Sequence, residues 1–182
     1  YRQKNMFFID ILNAVRTKTI TPDQLATLNQ RVESDKHIFN EKGIYLTSTN
    51  AAAKSINSLQ IKKLPGFSYS HPAEYSKNFD LKIAPTDTFL ELKEGAHVMF
   101  VCNHSGGQWV NGTLGEIIAI SEFEQEVTVR TQAGINVTVT PHKWSMHKHV
   151  YDQKTQTLTQ KTSGSFTQFP LKLAWAITIH KS

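Results

Sequence analysis

Five short strand-like runs in the second half of the chain constrain its fold most strongly. Each run is rich in apolar and β-branched residues, and glycine-containing turns separate several of them. The runs cover residues 96–102, 113–120, 126–131, 135–140 and 146–151. Polar residues at 153–156 indicate the tip of a further hairpin. Several short strands at this spacing predict a small antiparallel barrel or sandwich.

The first part of the chain has the pattern of an α/β unit instead. Apolar residues at helical spacing predict a helix over 5–17, and a Thr-Pro-Asp-Gln capping sequence predicts a second helix that begins at Thr21. The run 43–47 predicts a strand, and Thr49 or Asn50 is suited to cap the helix expected after it. The start of that helix is open to two interpretations, a plain cap or a phosphate site, because helix N-termini favour anions.

Two further segments are less regular. Residues 65–87 contain several prolines and little periodicity, which is typical of a connection between domains. The closing segment fits either a helix or a strand, because apolar residues from Leu171 to Thr178 share a helical face, whereas those from Leu173 to Ile179 also alternate. Pro170 suits a first helical turn, so we predict a helix.

Four separated motifs, taken in their order along the chain, resemble those of the RecD-like and Pif-type superfamily-one DNA helicases. They are Tyr1-Arg2-Gln3, Leu46-Thr47-Ser48-Thr49-Asn50 followed by Ile56-Asn57, Trp109-Val110-Asn111-Gly112-Thr113-Leu114-Gly115, and Thr178-Ile179-His180-Lys181-Ser182. In the same order, they resemble four motifs of that family: the aromatic-Arg-Gln motif, a strand-to-helix motif, the signature of an inserted SH3-like barrel, and the start of a Thr-x-His-Lys-Ser-Gln-Gly motif.

The resemblance implies an α/β fold that contains part of a RecA-like helicase motor domain. This second motor domain would be discontinuous, formed by 1–64 and 165–182. Residues 65–87 would connect it to an inserted small antiparallel SH3-like β-barrel at 88–164.

The resemblance also implies an ATP-dependent DNA helicase that moves 5′ to 3′. Arg2, with Gln3 beside it, would reach the γ-phosphate of ATP, where a permanently charged guanidinium stabilises the charge that develops in phosphoryl transfer. The predicted contacts to single-stranded DNA are Thr47, Asn50, Trp109, Asn111, Thr178, His180, Lys181 and Ser182. Most of them would hold phosphates and would say little about base sequence.

The predicted barrel leaves two interpretations of its tryptophans open. Trp109 and Trp144 would either stack on bases or complete a small core, and the core is favoured. Histidines and lysines between His142 and His149 would line a groove for the single strand. We predict no metal site, because no cysteine or carboxylate accompanies these histidines at ligand spacing.

The sequence contains no Gly-x-x-x-x-Gly-Lys-Ser/Thr loop, and no Asp-Glu pair follows an apolar strand. ATP hydrolysis by this chain alone is therefore not expected. In the parent protein ATP and Mg²⁺ would be bound mostly by the first motor domain, and no cofactor is expected to bind tightly to this chain.

Composition adds weaker constraints. The net charge of +5 and the pI near 9.3 favour a polyanionic partner. With no apolar run of membrane-spanning length, no signal-peptide pattern and a single cysteine, Cys102, we expect a soluble cytoplasmic protein without a membrane partner. Two alternatives to the helicase stay open, namely a stand-alone single-stranded nucleic-acid-binding module and a protein-interaction scaffold.

Overall fold

The computed structural model describes residues 5–32, 43–152 and 157–178. The chain divides into two compact units, Tyr1–Gly43 and Ile44–Ser182. Several predictions fall outside the described residues: the roles of Arg2, Gln3, His180, Lys181 and Ser182, and the hairpin tip at 153–156.

The described part of the first unit, residues 5–32 and 43, contains two helices, and both were predicted. Helix α1 spans Met6–Thr17, begins where the Asn5 side chain accepts the Phe8 N–H at 3.1 Å, and ends at Lys18 in a left-handed conformation. Helix α2 spans Pro22–Asn29. Its start is a capping box, because Thr21 and Gln24 each accept the backbone N–H of the other through their side chains.

The second unit begins with a strand, a helix and a distant parallel partner. Strand β1 spans Tyr45–Thr47 and helix α3 spans Asn50–Lys63, with Thr49 as the N-cap. Both elements and the cap at Thr49 confirm the predicted strand–turn–helix unit. Strand β1 pairs in parallel with β12, Ala176–Thr178, which lies near the other end of the chain.

The segment after α3 holds short elements. Strand β2 is Tyr69–Pro72, β3 is Glu74–Tyr75, a 3-10 turn is Leu81–Ile83, and β4 is Phe89–Leu92. Strands β2 and β4 pair antiparallel. The side chains of Leu90 and Leu92 point inward and are fully buried in the main hydrophobic core.

A five-stranded antiparallel sheet forms the centre of the second unit. Its strands are β5 (His97–Phe100), β6 (Leu114–Ser121), β7 (Glu126–Thr131), β8 (Asn136–Val139) and β11 (Leu171–Leu173), in the order β11-β5-β6-β7-β8. Inward residues alternate along β7 and β8, where Val127, Val129, Val137 and Val139 are buried. Gly115 is required by close packing, since an added Cβ would lie 2.5 Å from Val129 Cγ1 and 2.8 Å from the Arg130 carbonyl oxygen.

A long antiparallel hairpin completes the unit. Strand β9 spans His142–Asp152 and β10 spans Thr157–Gln168, and β3 pairs with the end of β10. The five predicted strand runs are thus confirmed as β5 to β9. The three antiparallel sheets are β2–β4, β3-β10-β9 and the five-stranded sheet. Within the described ranges they are separate, and none closes on itself, so the predicted SH3-like barrel is not confirmed.

The predicted closing helix is wrong. The segment instead forms β11 and β12, because long-range backbone partners satisfy its hydrogen bonds: Leu171–Leu173 pairs with β5, Ala174 N–H donates to the His97 carbonyl at 2.8 Å, and Ala176–Thr178 pairs with β1. The alternation of apolar residues in this segment was the correct signal. Trp175, between the two strands, stacks on His97 at 5.5 Å.

Candidate functional site

The parallel pair β1–β12 places two of the predicted site residues side by side. Thr47 and Thr178 are register partners at the carboxyl ends of their strands. Thr47 is half-buried and Thr178 is 6% exposed. Ligands of α/β proteins bind at this end of parallel strands, beside the loops that follow them.

The Thr47 hydroxyl is already oriented. Its Oγ1 lies 3.0 Å from the Thr49 carbonyl oxygen and 3.3 Å from the Ile177 carbonyl oxygen, and it donates its one hydrogen to these acceptors. The oxygen lone pairs remain to accept a hydrogen bond. The hydroxyl therefore joins the turn after β1 to the end of β12 before any ligand arrives.

Helix α3 begins beside these two threonines. Thr49 Oγ1 accepts the Ala52 N–H at 3.2 Å, and the Thr49 carbonyl accepts the Ala53 N–H. Within the part of the chain that the structure describes, the N–H groups of Asn50 and Ala51 have no acceptor, and Asn50 is exposed. The first turn of a helix carries partial positive charge, so these two donors can bind an anion. We call Thr47, Asn50, Ala51 and Thr178 the strand edge.

Asn57 holds the strand edge together from the helix side. Its Nδ2 donates to the Leu173 carbonyl at 3.2 Å and to the Ala176 carbonyl at 2.9 Å, while its Oδ1 accepts the Ala176 N–H at 2.8 Å. One side chain thereby fixes the turn between β11 and β12 against α3. The sequence analysis included Asn57 in a motif but assigned no role to it, although an amide between the buried Ala53 and Ile61 on one helix face was a usable signal.

A cleft of about 390 Å³ opens next to the strand edge. Helix α3, the segment 82–91 and strands β11 and β12 form its walls, and Asn50 and Thr178 belong to its lining. Its charged residues are Lys54, Lys82, Asp87, Glu91 and Lys172. The sequence analysis missed these lysines. Lys54 could have been found, because it lies four residues after Asn50 and so on the same face of α3.

Trp109 lies in the core. Its side chain is 7% exposed, its ring stacks on Phe100 at 4.5 Å, and the His104 ring centroid lies 4.3 Å away. Its Nε1 is buried and has no partner among the described residues. The ring is therefore not presented to a base in this conformation, and its stacking on DNA stays a prediction.

The predicted contact Asn111 lies in the turn that follows Trp109. The Asn111 N–H donates to Asn103 Oδ1 at 2.8 Å, and Gly112 has a φ of +90°, in the left-handed region that favours glycine. Asn111 itself is exposed. Much of the Trp-Val-Asn-Gly motif thus has a structural explanation as a turn that leads into β6.

The basic residues of β9 do not form one groove wall. Lys143, His147 and His149 alternate with His142 and Lys148, so the two sets point to opposite faces of the hairpin. Trp144 is half-buried, with ring contacts to His142 at 4.6 Å and to Phe166 at 5.9 Å. Over the ranges 5–32, 43–152 and 157–178, no three His, Cys, Asp or Glu residues are grouped to hold a metal ion.

Cys102 is half-buried, and desolvation raises the pKa of its thiol. A raised pKa lowers the thiolate fraction at neutral pH, so this thiol is a weak nucleophile. Among the described helices, none is long and apolar enough to cross a membrane.

Comparison with known proteins finds relatives that match the whole chain. No protein-family model matches the chain. Over 193 residues, which include 100% of the chain, it is 31% identical to the ATP-dependent DNA helicase PIF1 of Xenopus laevis. The chain is homologous to the Pif1 DNA helicases along its whole length.

The solved structures of Pif1 relatives agree with the fold. The crystal structure of Bacteroides sp Pif1 in complex with ADP-AlF4 matches 100% of the chain with a TM-score of 0.86 at 30% identity. Bacteroides Pif1 bound to ssDNA matches with a TM-score of 0.73 at 31% identity. The mixed α/β fold is thus that of part of a Pif1 helicase. The chain spans 28% of the Xenopus protein and 41% of each Bacteroides chain.

Proposed function

We propose that this chain is part of an ATP-dependent DNA helicase and that its strand edge holds the backbone of single-stranded DNA. The observation that carries the proposal is the parallel pairing of Tyr45–Thr47 with Ala176–Thr178, which brings Thr47, Thr178 and the start of α3 to one place. Homology to Pif1 helicases and the solved complex of Bacteroides Pif1 with ssDNA support the choice of ligand.

The strand edge offers the kind of donors that a phosphate needs. The N–H groups of Asn50 and Ala51 point out of the first turn of α3, and the neighbouring cleft has a small excess of positive charge, with three lysines against Asp87 and Glu91. His180, Lys181 and Ser182 follow β12 directly in the sequence and would extend the same surface. All of these contacts address the backbone, so binding would depend little on base sequence.

In the parent protein, only some of the residues that contact ATP would belong to this chain. We assign to Arg2 the contact with the γ-phosphate, with Gln3 beside it, and we expect ATP and Mg²⁺ to be bound mostly by a first motor domain. Movement in the 5′ to 3′ direction is part of the same proposal. These roles rest on the resemblance of Tyr1-Arg2-Gln3 to the family motif.

The domain organisation is proposed with it. Residues 1–64 and 165–182 would form a discontinuous motor domain, supported by the pairing of β1 with β12 and by the contacts of Asn57 with β11 and β12. Residues 65–87 would connect it to the inserted SH3-like domain at 88–164. The five-stranded antiparallel sheet supports that assignment.

The experiment that tests the strand edge is single-strand-stimulated ATP turnover of the full-length protein with Thr47 and Thr178 both changed to valine. Valine keeps the side-chain shape and removes the hydroxyl. The Thr47 hydroxyl donates its hydrogen to the Thr49 and Ile177 carbonyls, so its loss should loosen the turn that positions the Asn50 and Ala51 N–H groups for a phosphate. At about 1 kcal/mol for each lost hydrogen bond, the DNA concentration for half-maximal stimulation should rise about tenfold in the double variant, with maximal turnover retained.

Thr138→Val, at an exposed position on β8, is the matched control. An unchanged DNA requirement in the double variant would reject the strand edge as the contact. A full-length protein that binds single strands without turning over ATP would reject the helicase and favour the stand-alone binding module.

For the ATP contact, Arg2→Ala should abolish turnover in the full-length protein and leave ATP binding largely intact. The guanidinium is assigned to stabilise charge that develops during phosphoryl transfer, so its loss acts on the reaction more than on the bound ground state. Turnover and nucleotide affinity are measured on the same preparation. Normal turnover in this variant would remove Arg2 from its role.

A further inference from the structure

The long hairpin β9–β10 consists of two parts with different surroundings. In the first part Phe166 lies opposite Trp144, β3 pairs on the outer side, and Gly164 lies so close to the 78–79 backbone that an added Cβ would be 3.0 Å from Phe79 Cα. The pairing register then shifts between Thr162 and Gly164. Beyond this bulge the hairpin leaves the body of the unit.

We call residues 147–152 and 157–162 the arm. Every side chain that the structure describes in the arm is exposed. Six paired residues per strand extend about 17 Å, and an isolated two-stranded ribbon of this kind is only marginally stable in water. Side-chain packing against the rest of the unit therefore does not explain the stability of the arm.

The charges of the arm destabilise the hairpin further. Lys148 and Lys161 are direct cross-strand partners, so both ammonium groups point to the same face. Like charges in this position destabilise a hairpin. The only acidic residue of the arm sequence is Asp152, at its far end, where it pairs with Thr157.

The opposite face of the arm presents two imidazole rings, which can donate hydrogen bonds. His147 lies opposite Thr162, and His149 lies opposite Gln160, both on the face away from the two lysines. No ion pair involves an arm side chain among the residues described. Both faces of the ribbon thus present groups that suit an anion, and Tyr151 is the sole aromatic residue of the arm sequence.

We propose that the arm enters a groove of duplex nucleic acid, with Lys148 and Lys161 on one phosphate-lined wall and His147 and His149 facing the other. A groove presents phosphates on two sides, which matches a ribbon that carries hydrogen-bond donors on both faces. The major groove of a duplex is about 12 Å wide and admits a two-stranded ribbon. A single strand would use one face and stacking aromatics, which the arm largely lacks.

The test compares two variants of the full-length protein with the same loss of charge. In the first, Lys148→Gln and Lys161→Gln remove the cross-strand pair. In the control, Lys62→Gln and Lys77→Gln remove two exposed lysines elsewhere. Binding of a short labelled blunt duplex, and of one of its strands alone, is titrated at several salt concentrations.

For the arm variant we expect the slope of log K against log salt on the duplex to fall by about 2, because each phosphate contact contributes roughly 0.9. Single-strand binding should stay at the level of the control. Equal duplex slopes in both variants would overturn the proposal. An equal loss on duplex and single strand would also overturn it and make the arm a single-strand contact.

The variant Lys148→Glu distinguishes a direct contact of Lys148 with the duplex from an effect of this lysine on the stability of the arm. A glutamate opposite Lys161 forms an attractive cross-strand pair, so hydrogen exchange of the arm amides should slow while duplex binding weakens. If duplex binding instead strengthened with arm stability, the lysines would act only through the fold. The strand-edge variants at Thr47 and Thr178 should leave duplex binding by the arm unchanged, so failure of either proposal is visible separately.

Discussion

The strand edge and the arm are both polar, but they are held in opposite ways. At the strand edge, backbone and side-chain hydrogen bonds from α3, β1, β11 and β12 converge within a few residues, and Asn57 alone makes three of them. In the arm the pairing that the structure describes is between its own two strands, and its described side chains are exposed. The first surface is preorganised for a ligand, whereas the second gains order from one.

This contrast explains why the two surfaces suit different partners. A preorganised edge can hold the backbone of a flexible single strand without first ordering itself, which lowers the cost of binding. A protruding ribbon reaches beyond the body of the unit and suits a rigid partner with a groove. We therefore propose the single strand as the partner of the strand edge and the duplex as the partner of the arm.

The largest expected effect breaks the strand edge. Asn57→Ala removes three hydrogen bonds and leaves backbone groups of the half-buried Leu173 and the buried Ala176 without these partners, which should cost about 2–4 kcal/mol. Hydrogen exchange of residues 171–178 measures the local loss. Asn111→Ala, an exposed asparagine in the same unit, is the control. Exchange that matches the control would contradict the account of Asn57 as the residue that fixes this turn.

A smaller effect is expected at the base of the arm. Gly164→Ala places a Cβ 3.0 Å from Phe79 Cα and 3.1 Å from its backbone nitrogen, so the 78–79 segment must shift at a cost of about 1–2 kcal/mol. Faster exchange of the amides around Phe166, without change in the β1–β12 pair, would support separate anchoring of the two regions. Gly106→Ala meets only the movable His104 side chain and is the control. Equal effects on both regions would show that they are one structural element.

The smallest effect sharpens the helix-terminus part of the strand edge. Thr49→Ala removes the side-chain cap on the Ala52 N–H and should destabilise α3 by about 1 kcal/mol. Thr27→Ala, whose hydroxyl donates to a carbonyl within α2, is a matched threonine that caps no helix start. Exchange of amides 51–54 reports the loss. No increase there would mean that the cap contributes nothing to the anion site.

Local signals allowed much of this fold to be predicted. The capping box at Thr21, the cap at Thr49 and the strand-like runs that form β6 to β8 depend on neighbours in sequence, and each was correct. The closing strands were missed because their partners are remote: Asn57 contacts residues 116 and 119 positions away. Periodicity over a few residues does not report such pairing.

The candidate site was predicted in the same uneven way. Thr47, Asn50 and Thr178 came from motifs, and the topology brings them together. The lysines of the cleft come together because distant elements meet, and Lys148 lies opposite Lys161 because of strand register. Neither feature can be read from a single sequence. Trp109 shows the converse, because a residue type suited to base stacking lies in the core.

Photo-crosslinking tests the central claim most directly. The full-length protein is irradiated with a single strand that carries a photoreactive base, and the crosslinked peptides are sequenced. If the strand edge binds the backbone of the single strand, crosslinks are expected within residues 47–54 and around Thr178. Crosslinks in the arm are then expected only together with these. Crosslinks found only in the arm or the five-stranded sheet would contradict the claim.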